Sequence, residues 1–190
     1  MTSSDTKSPA ALGFLTVIQR EPHGLFGGYL LLNLAGRPLE FHCTAPLKPN
    51  RAQEILYGPT LEPFLYGEHI GRALIEKSSL QPIAICTNRE AALAVREFVR
   101  APVALVLASD AAGATDAATG PTWRIDGPQR PRAALHRVVI GRQQLGVKAA
   151  WQSDESALVE RLRQLADDFD LAEPFARIEE AIDEAQRAGR

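Results

Sequence analysis

The chain has 190 residues, of which 45% are hydrophobic and 23% charged, with a formal net charge of −2. That is apolar material for one well-packed domain plus an appendage, at an ordinary charge level for a soluble protein. The near-neutral balance excludes a global basic field that would draw in nucleic acid; only a local basic face stays compatible with it.

MTSSDTKSPAAL has neither a basic leader nor a long apolar run, so residues 1–11 read as a disordered start and not as a secretory signal. No stretch reaches the roughly 20 apolar residues that span a bilayer. The expectation is a cytoplasmic chain with no membrane partner. GFLTVIQR (13–20) is the first strand, and REPHGLFGG reads as a glycine-rich loop. YLLLNL (29–34), the turn AGRP and LEFHCTA (39–45) complete a three-stranded antiparallel meander. In its third strand, Leu39, Phe41 and Cys43 share one side, and Glu40, His42 and Thr44 the other.

The period then changes. Asn50 with Gln53 forms a capping box for a first helix, which Gly58-Pro59 interrupts. Thr60 caps a second helical piece running to about Lys77, with Leu61, Phe64, Leu65, Leu74 and Ile75 as its apolar stripe. IAICTN is the fourth strand and VALVLAS (103–109) the fifth; a helix from Arg89 to about Arg100 between them makes a βαβ unit. SDAAGATDAATGPT, residues 109–122, reads as a flexible low-complexity loop. TWRID (122–126) pairs with ALHRVVI (134–140) as a hairpin across GPQRPR. Ser153 caps a helix over SDESALVERLRQLADDF, and AEPFARIEEAIDEAQRAGR is a last helix with a Phe175/Ile178/Ile182 stripe. Residues 12–168 thus form a single α/β domain, and 169–190 a C-terminal helical extension.

Three antiparallel strands followed by parallel strands with helices resembles the ribonuclease H-like fold. IQREPHGLFGGYLLLN is similar to that family's first strand, glycine-rich loop and second strand, and GRPLEF to its second hairpin. KPNRAQE looks like the segment entering its first helix, and ICTN like its fourth strand end. The resemblance implies a five-stranded mixed sheet and a carboxylate site for two divalent metals. Glu54 matches the helix glutamate, and Asp154 or Glu155 is the loosest match to a last carboxylate on the C-terminal helix. The departures are at the other two positions. Gln19 stands where the first-strand acid belongs, with Arg20 beside it, and Asn88 stands where the strand-end aspartate belongs. Amides lend oxygen but no charge, and Arg20 opposes a cation, so the metal site reads as dismantled. Asn88 also has a structural reading, as the cap of the helix that follows.

Other chemistries lack their patterns: there is no HExxH, no GxSxG and no phosphate-cradling glycine loop ahead of a helix. Cys43 and Cys86 have no metal spacing and read as buried free thiols, with a disulfide between them as the alternative. Tyr57, Phe64 and Tyr66, with Arg20 and Arg51, suggest a contact surface for a protein or for bases. The first expectation is therefore a non-catalytic ribonuclease H-like module, without metal or other cofactor, that binds a partner protein or nucleic acid. The alternatives are a Mg²⁺-dependent nuclease using Glu54, Glu21 and Asp154, and a small-molecule enzyme with its pocket near Thr87, Asn88 and Asp110.

Overall fold

A computed structural model describes residues 10–107, 134–165 and 169–188. The expected disordered start, the flexible loop and TWRID lie wholly or mostly outside these residues. The fold is α/β, built on one mixed sheet of seven strands in the order β3-β2-β1-β4-β5-β7-β6. β1 (Ala11–Arg20), β2 (Gly24–Asn33) and β3 (Pro38–Cys43) form the antiparallel meander. β4 (Pro82–Thr87) lies parallel to β1, and β5 (Val103–Leu107) parallel to β4. β6 (Leu135–Ile140) and β7 (Gln143–Lys148) extend the sheet, β7 pairing antiparallel with β5. Five strands were expected; this hairpin supplies the other two. β6 turns at Gly141-Arg142 and pairs with QQLGVK, not with TWRID.

β1 is central and buried on both faces, so its alternating residues enter two cores. Leu12, Phe14 and Ile18 meet Cys86, Leu158, Phe175, Ile178 and Ile182 on one side. Leu15 and Val17 meet Tyr29, Leu31, Leu65, Ile70, Leu74 and Leu93 on the other. The first core is covered by α4 (Asp154–Leu162) and α5 (Glu173–Ala188). The apolar stripe of α5 is buried on β1 and β2, and Arg20 of β1 grips Asp183 through two bonds of 2.9 and 3.1 Å.

The second core is covered by a broken helix. α1 (Arg51–Tyr57) opens with the capping box: Asn50 Oδ1 accepts from Gln53 N at 2.9 Å, and Gln53 Oε1 from Asn50 N at 3.0 Å. A 3₁₀ turn at Gly58–Thr60 breaks it, and α2 (Leu61–Pro63), a π-helical stretch (Phe64–Gly71) and α3 (Arg72–Lys77) follow. Thr60 and Ser153 were expected as caps but make no capping bond. Their backbones are already helical, at φ/ψ of −89/−2 and −60/−19, whereas a capping side chain needs an extended backbone to reach back. The segment between β4 and β5 is a 3₁₀ helix, Glu90–Glu97, where an α-helix was expected.

The expected loop GLFGG is instead the first half of β2. Gly27 and Gly28 are adjacent, so they face opposite sides of the sheet. A β-carbon on Gly27 would strike Ile70 and Leu74; one on Gly28 would strike Ile178 and Ile182. The two glycines let helices press onto the strand from both faces, the close-approach use of glycine in a strand.

Candidate functional site

β4 stops pairing with β1 at Leu15↔Thr87, so the last residues of β1 run on past the end of β4. Asn88 sits in the step this leaves. The buried Thr16 hydroxyl donates to Asn88 Oδ1 at 2.7 Å. Asn88 was expected to cap the next helix, but that helix begins at Glu90 behind Arg89 and has no side-chain cap; Thr87 Oγ1 accepts from Arg89 N at 3.1 Å in the turn before it. Asn88 thus joins the end of β4 to the middle of β1.

The other expected site residues do not converge on it. Gln19 is three residues from Thr16 and so lies on the opposite face of β1, where its Nε2 donates to Glu21 Oε1 at 2.9 Å. Arg20 is engaged with Asp183 and, at 3.8 Å, with Glu179. The bond to Asp183 raises the Arg20 pKa, and the same bond lowers that of Asp183. Glu54 is on α1, 3.0 Å from Arg51. Asp154 is buried, with Oδ2 2.5 Å from Arg96 Nε and Oδ1 2.9 Å from Nη2. Arg96 also donates to Val99 O at 2.9 Å and lies 4.2 Å over the Trp151 ring. Its guanidinium is therefore engaged by Asp154 and the Val99 carbonyl along its edges and by Trp151 over one face, and it ties the 3₁₀ helix to α4.

A divalent metal needs several carboxylates facing one point. Glu21, Glu54 and Asp154 each answer to a different partner, and among the described residues no group of three metal-ligating side chains is gathered. The residues present do not fit the metal pair that the resemblance implies. Two cavities lie elsewhere than the ends of β4 and β5, one along α4 and one beside the β6–β7 turn. Asp110 is outside the described residues.

The aromatic residues are partly structural. Tyr57 stacks on Phe64 at 4.3 Å, while Phe64 and Tyr66 are half-buried against the second core. Arg51 is largely exposed. Sequence reasoning missed what stands beside them: Ile55 and Leu56 on α1 are 65% and 82% exposed. α1 contributes no buried residue, so its apolar pair faces outward. In this seven-residue helix Ile55 and Leu56 find only Ala52 one turn back, too little for an inward apolar stripe, and that was the available signal.

A polar cluster on β3 was also missed. Glu40 accepts from Ser78 Oγ at 2.9 Å, from Ser79 N at 3.2 Å and from the Ser79 hydroxyl, and lies 3.0 Å from His42 Nε2. These bonds, led by that of the Ser79 hydroxyl, pull the Glu40 carboxyl down to about 2. Tyr29 lies beneath, fully buried, with no hydrogen-bond partner for its hydroxyl among the described residues; burial and then the Glu40 charge push its pKa up. The histidine and serine bond the same carboxylate, so no serine–histidine relay exists here. The cluster fastens the edge strand to the end of α3.

The expected buried thiols divide. Cys86 is fully buried, and burial pushes its thiol up to about 12. Cys43 is exposed, because α5 packs on β1 and β2 and leaves this face of β3 open, with Phe41 beside it. Both thiols are free. Among the described residues no helix is long and apolar enough to cross a membrane. No protein-family model matches the chain, and no curated protein matches it in sequence.

Proposed function

We propose that the chain is a non-catalytic, ribonuclease H-like module that binds a partner protein through α1. The fold reading is supported by the order β3-β2-β1-β4-β5, with β2 alone antiparallel to β1, β4 and β5 in that set. The loss of catalysis rests on one observation above all: the buried Asp154 is neutralised by Arg96 and cannot also hold a cation. Glu54 alone offers too little charge for a metal pair. The binding reading rests on Ile55 and Leu56, whose exposure on a helix with no buried face serves no fold. A short helix presenting apolar anchors suits an apolar groove on another protein.

A photo-crosslinking residue at position 56, with one at Val139 as the control for an exposed apolar site, tests this. One dominant protein adduct from position 56, lost in the Ile55→Ser variant, is the expected result. Adducts equal to those of the control position refute the α1 surface, and adducts to RNA or DNA assign the module to nucleic acid.

A further inference from the structure

Among the described residues the sheet has two edges, β3 and β6, and they are built differently. β3 carries Pro38 and a register shift, both of which blunt an edge against further pairing. β6 has neither. It pairs with β7 from Leu135 to Ile140 without a shift, and its one permanent charge is Arg137. Ala149 N donates to Ala134 O at 2.8 Å, so the even-numbered residues of β6 turn their backbone groups toward β7. Leu135, Arg137 and Val139 turn theirs outward, and Val139 is 66% exposed. A regular, mostly apolar edge of this kind is complementary to another strand.

α4 lies beside this edge and runs the same way. Glu155 is 2.9 Å from His136 near the start of β6, and Val159 and Arg163 flank Val139, Ile140 and Arg142 near its end. Glu155, Val159 and Arg163 recur every four residues and so share one face of the helix. That face reads acid, apolar, base, with Val159 39% exposed at its centre. Turned through half a circle about Val159, it meets itself with Glu155 opposite Arg163 at both ends. β6 has the same property about Val138. There Arg137 comes opposite Val139, whereas a centre at Arg137 would set two arginines face to face. The two centres lie level with each other. Val159 is midway between Glu155 and Arg163, over a rise of about 12 Å, and Val138 is midway between His136 and Ile140, over about 13 Å. One two-fold axis therefore serves both elements.

We propose that the chain forms a homodimer about this axis, with β6 pairing antiparallel to β6 of a second copy and α4 lying against its counterpart. A two-fold contact needs a surface complementary to itself, and the charge order on α4 supplies it. Each pairing of Arg137 with Val139 exchanges two backbone bonds, and the sheet continues through the axis. This inference is independent of the ribonuclease H-like reading and of the α1 surface.

The test is the mass of the full chain by sedimentation equilibrium, for wild type and for charge variants of both elements. Val139→Lys sets a like charge against Arg137 of the second copy, and Val139→Glu sets an opposite one; the exposure of this position leaves the fold of each chain intact. Arg163→Glu opposes Glu155, and adding Glu155→Arg restores the order of charges. Wild type is expected at twice the 20.7 kDa of one chain. Val139→Lys weakens the dimer by about tenfold, while Val139→Glu retains it. Arg163→Glu weakens it, and the exchanged pair recovers it. A photo-crosslinking residue at position 139 then joins the chain to itself, which distinguishes that control from an adduct of position 56 with another protein. A single-chain mass at high micromolar concentration, equal weakening by Val139→Lys and Val139→Glu, or no recovery in the exchanged pair each overturns the proposal.

Discussion

Replacing Asp154 with alanine asks whether this carboxylate serves the fold or a reaction. The pair it forms with Arg96 is nearly closed to solvent, with side chains 10% and 15% exposed. Removing one member of a fully buried pair costs about 3–5 kcal/mol, because the other charge stays behind uncompensated. Arg96 keeps the Val99 carbonyl and the Trp151 ring, and some water reaches it, so the lower end applies, at about 3 kcal/mol. With a urea slope of about 2 kcal/mol per molar, the unfolding midpoint falls by roughly 1.5 M. Replacing both partners with apolar residues, Arg96→Met with Asp154→Leu, restores most of the loss. A carboxylate kept for catalysis behaves in the opposite way: its removal is neutral or stabilising, since active sites are built at the expense of stability. A fall below about 0.5 kcal/mol, the scale of an exposed ion pair, or a double variant showing no coupling refutes the structural role given to Asp154.

Three further outcomes follow from the packing and charge. Gly28→Ala drives a β-carbon into Ile178 and Ile182, and overpacking of this kind costs about 1–3 kcal/mol; an unchanged urea midpoint would mean that α5 does not press on β2. Glu40 has its folded-state value lowered from 4.5 to about 2, so its contribution is present above about pH 5 and is lost as pH falls through 2. The lead of wild type over Glu40→Gln is on the order of 1 kcal/mol at neutral pH and narrows across that window in urea midpoints; a constant lead contradicts the cluster. In a thiol-reagent assay on the native protein, Cys43 reacts promptly and Cys86 only on unfolding; two prompt thiols contradict the burial of β4.

Strands β1, β3, β4 and β5, the capping box at Asn50 and the break at Gly58-Pro59 were all legible, because hydrophobic runs and local capping chemistry are read within a few residues. The start of β2 was not. Its glycines carry the composition of a loop, and their purpose lies in helices that arrive 43 and 150 residues later, at Ile70 and Ile178. β7 was missed because QQLGVK has polar ends and a glycine, and its place depends on β5 and β6 flanking it. The candidate site was half legible. Gln19 and Asn88 stand where the resemblance expects acids, but their strand faces, and the capture of Asp154 by Arg96, are set by tertiary packing. Glu40 with Ser78 and Ser79 joins residues 38 and 39 positions apart, which no local pattern reveals.

The most direct test of a dismantled site is the thermal midpoint of wild type and Glu54→Gln during titration with Mg²⁺ and with Mn²⁺. An ion that binds only the folded chain raises the midpoint by mass action, by about 2.7 kcal/mol in stability at a hundredfold excess over its dissociation constant. The account predicts no saturable rise in either protein. A rise in wild type that disappears in Glu54→Gln would contradict it and establish a live metal site on this sheet.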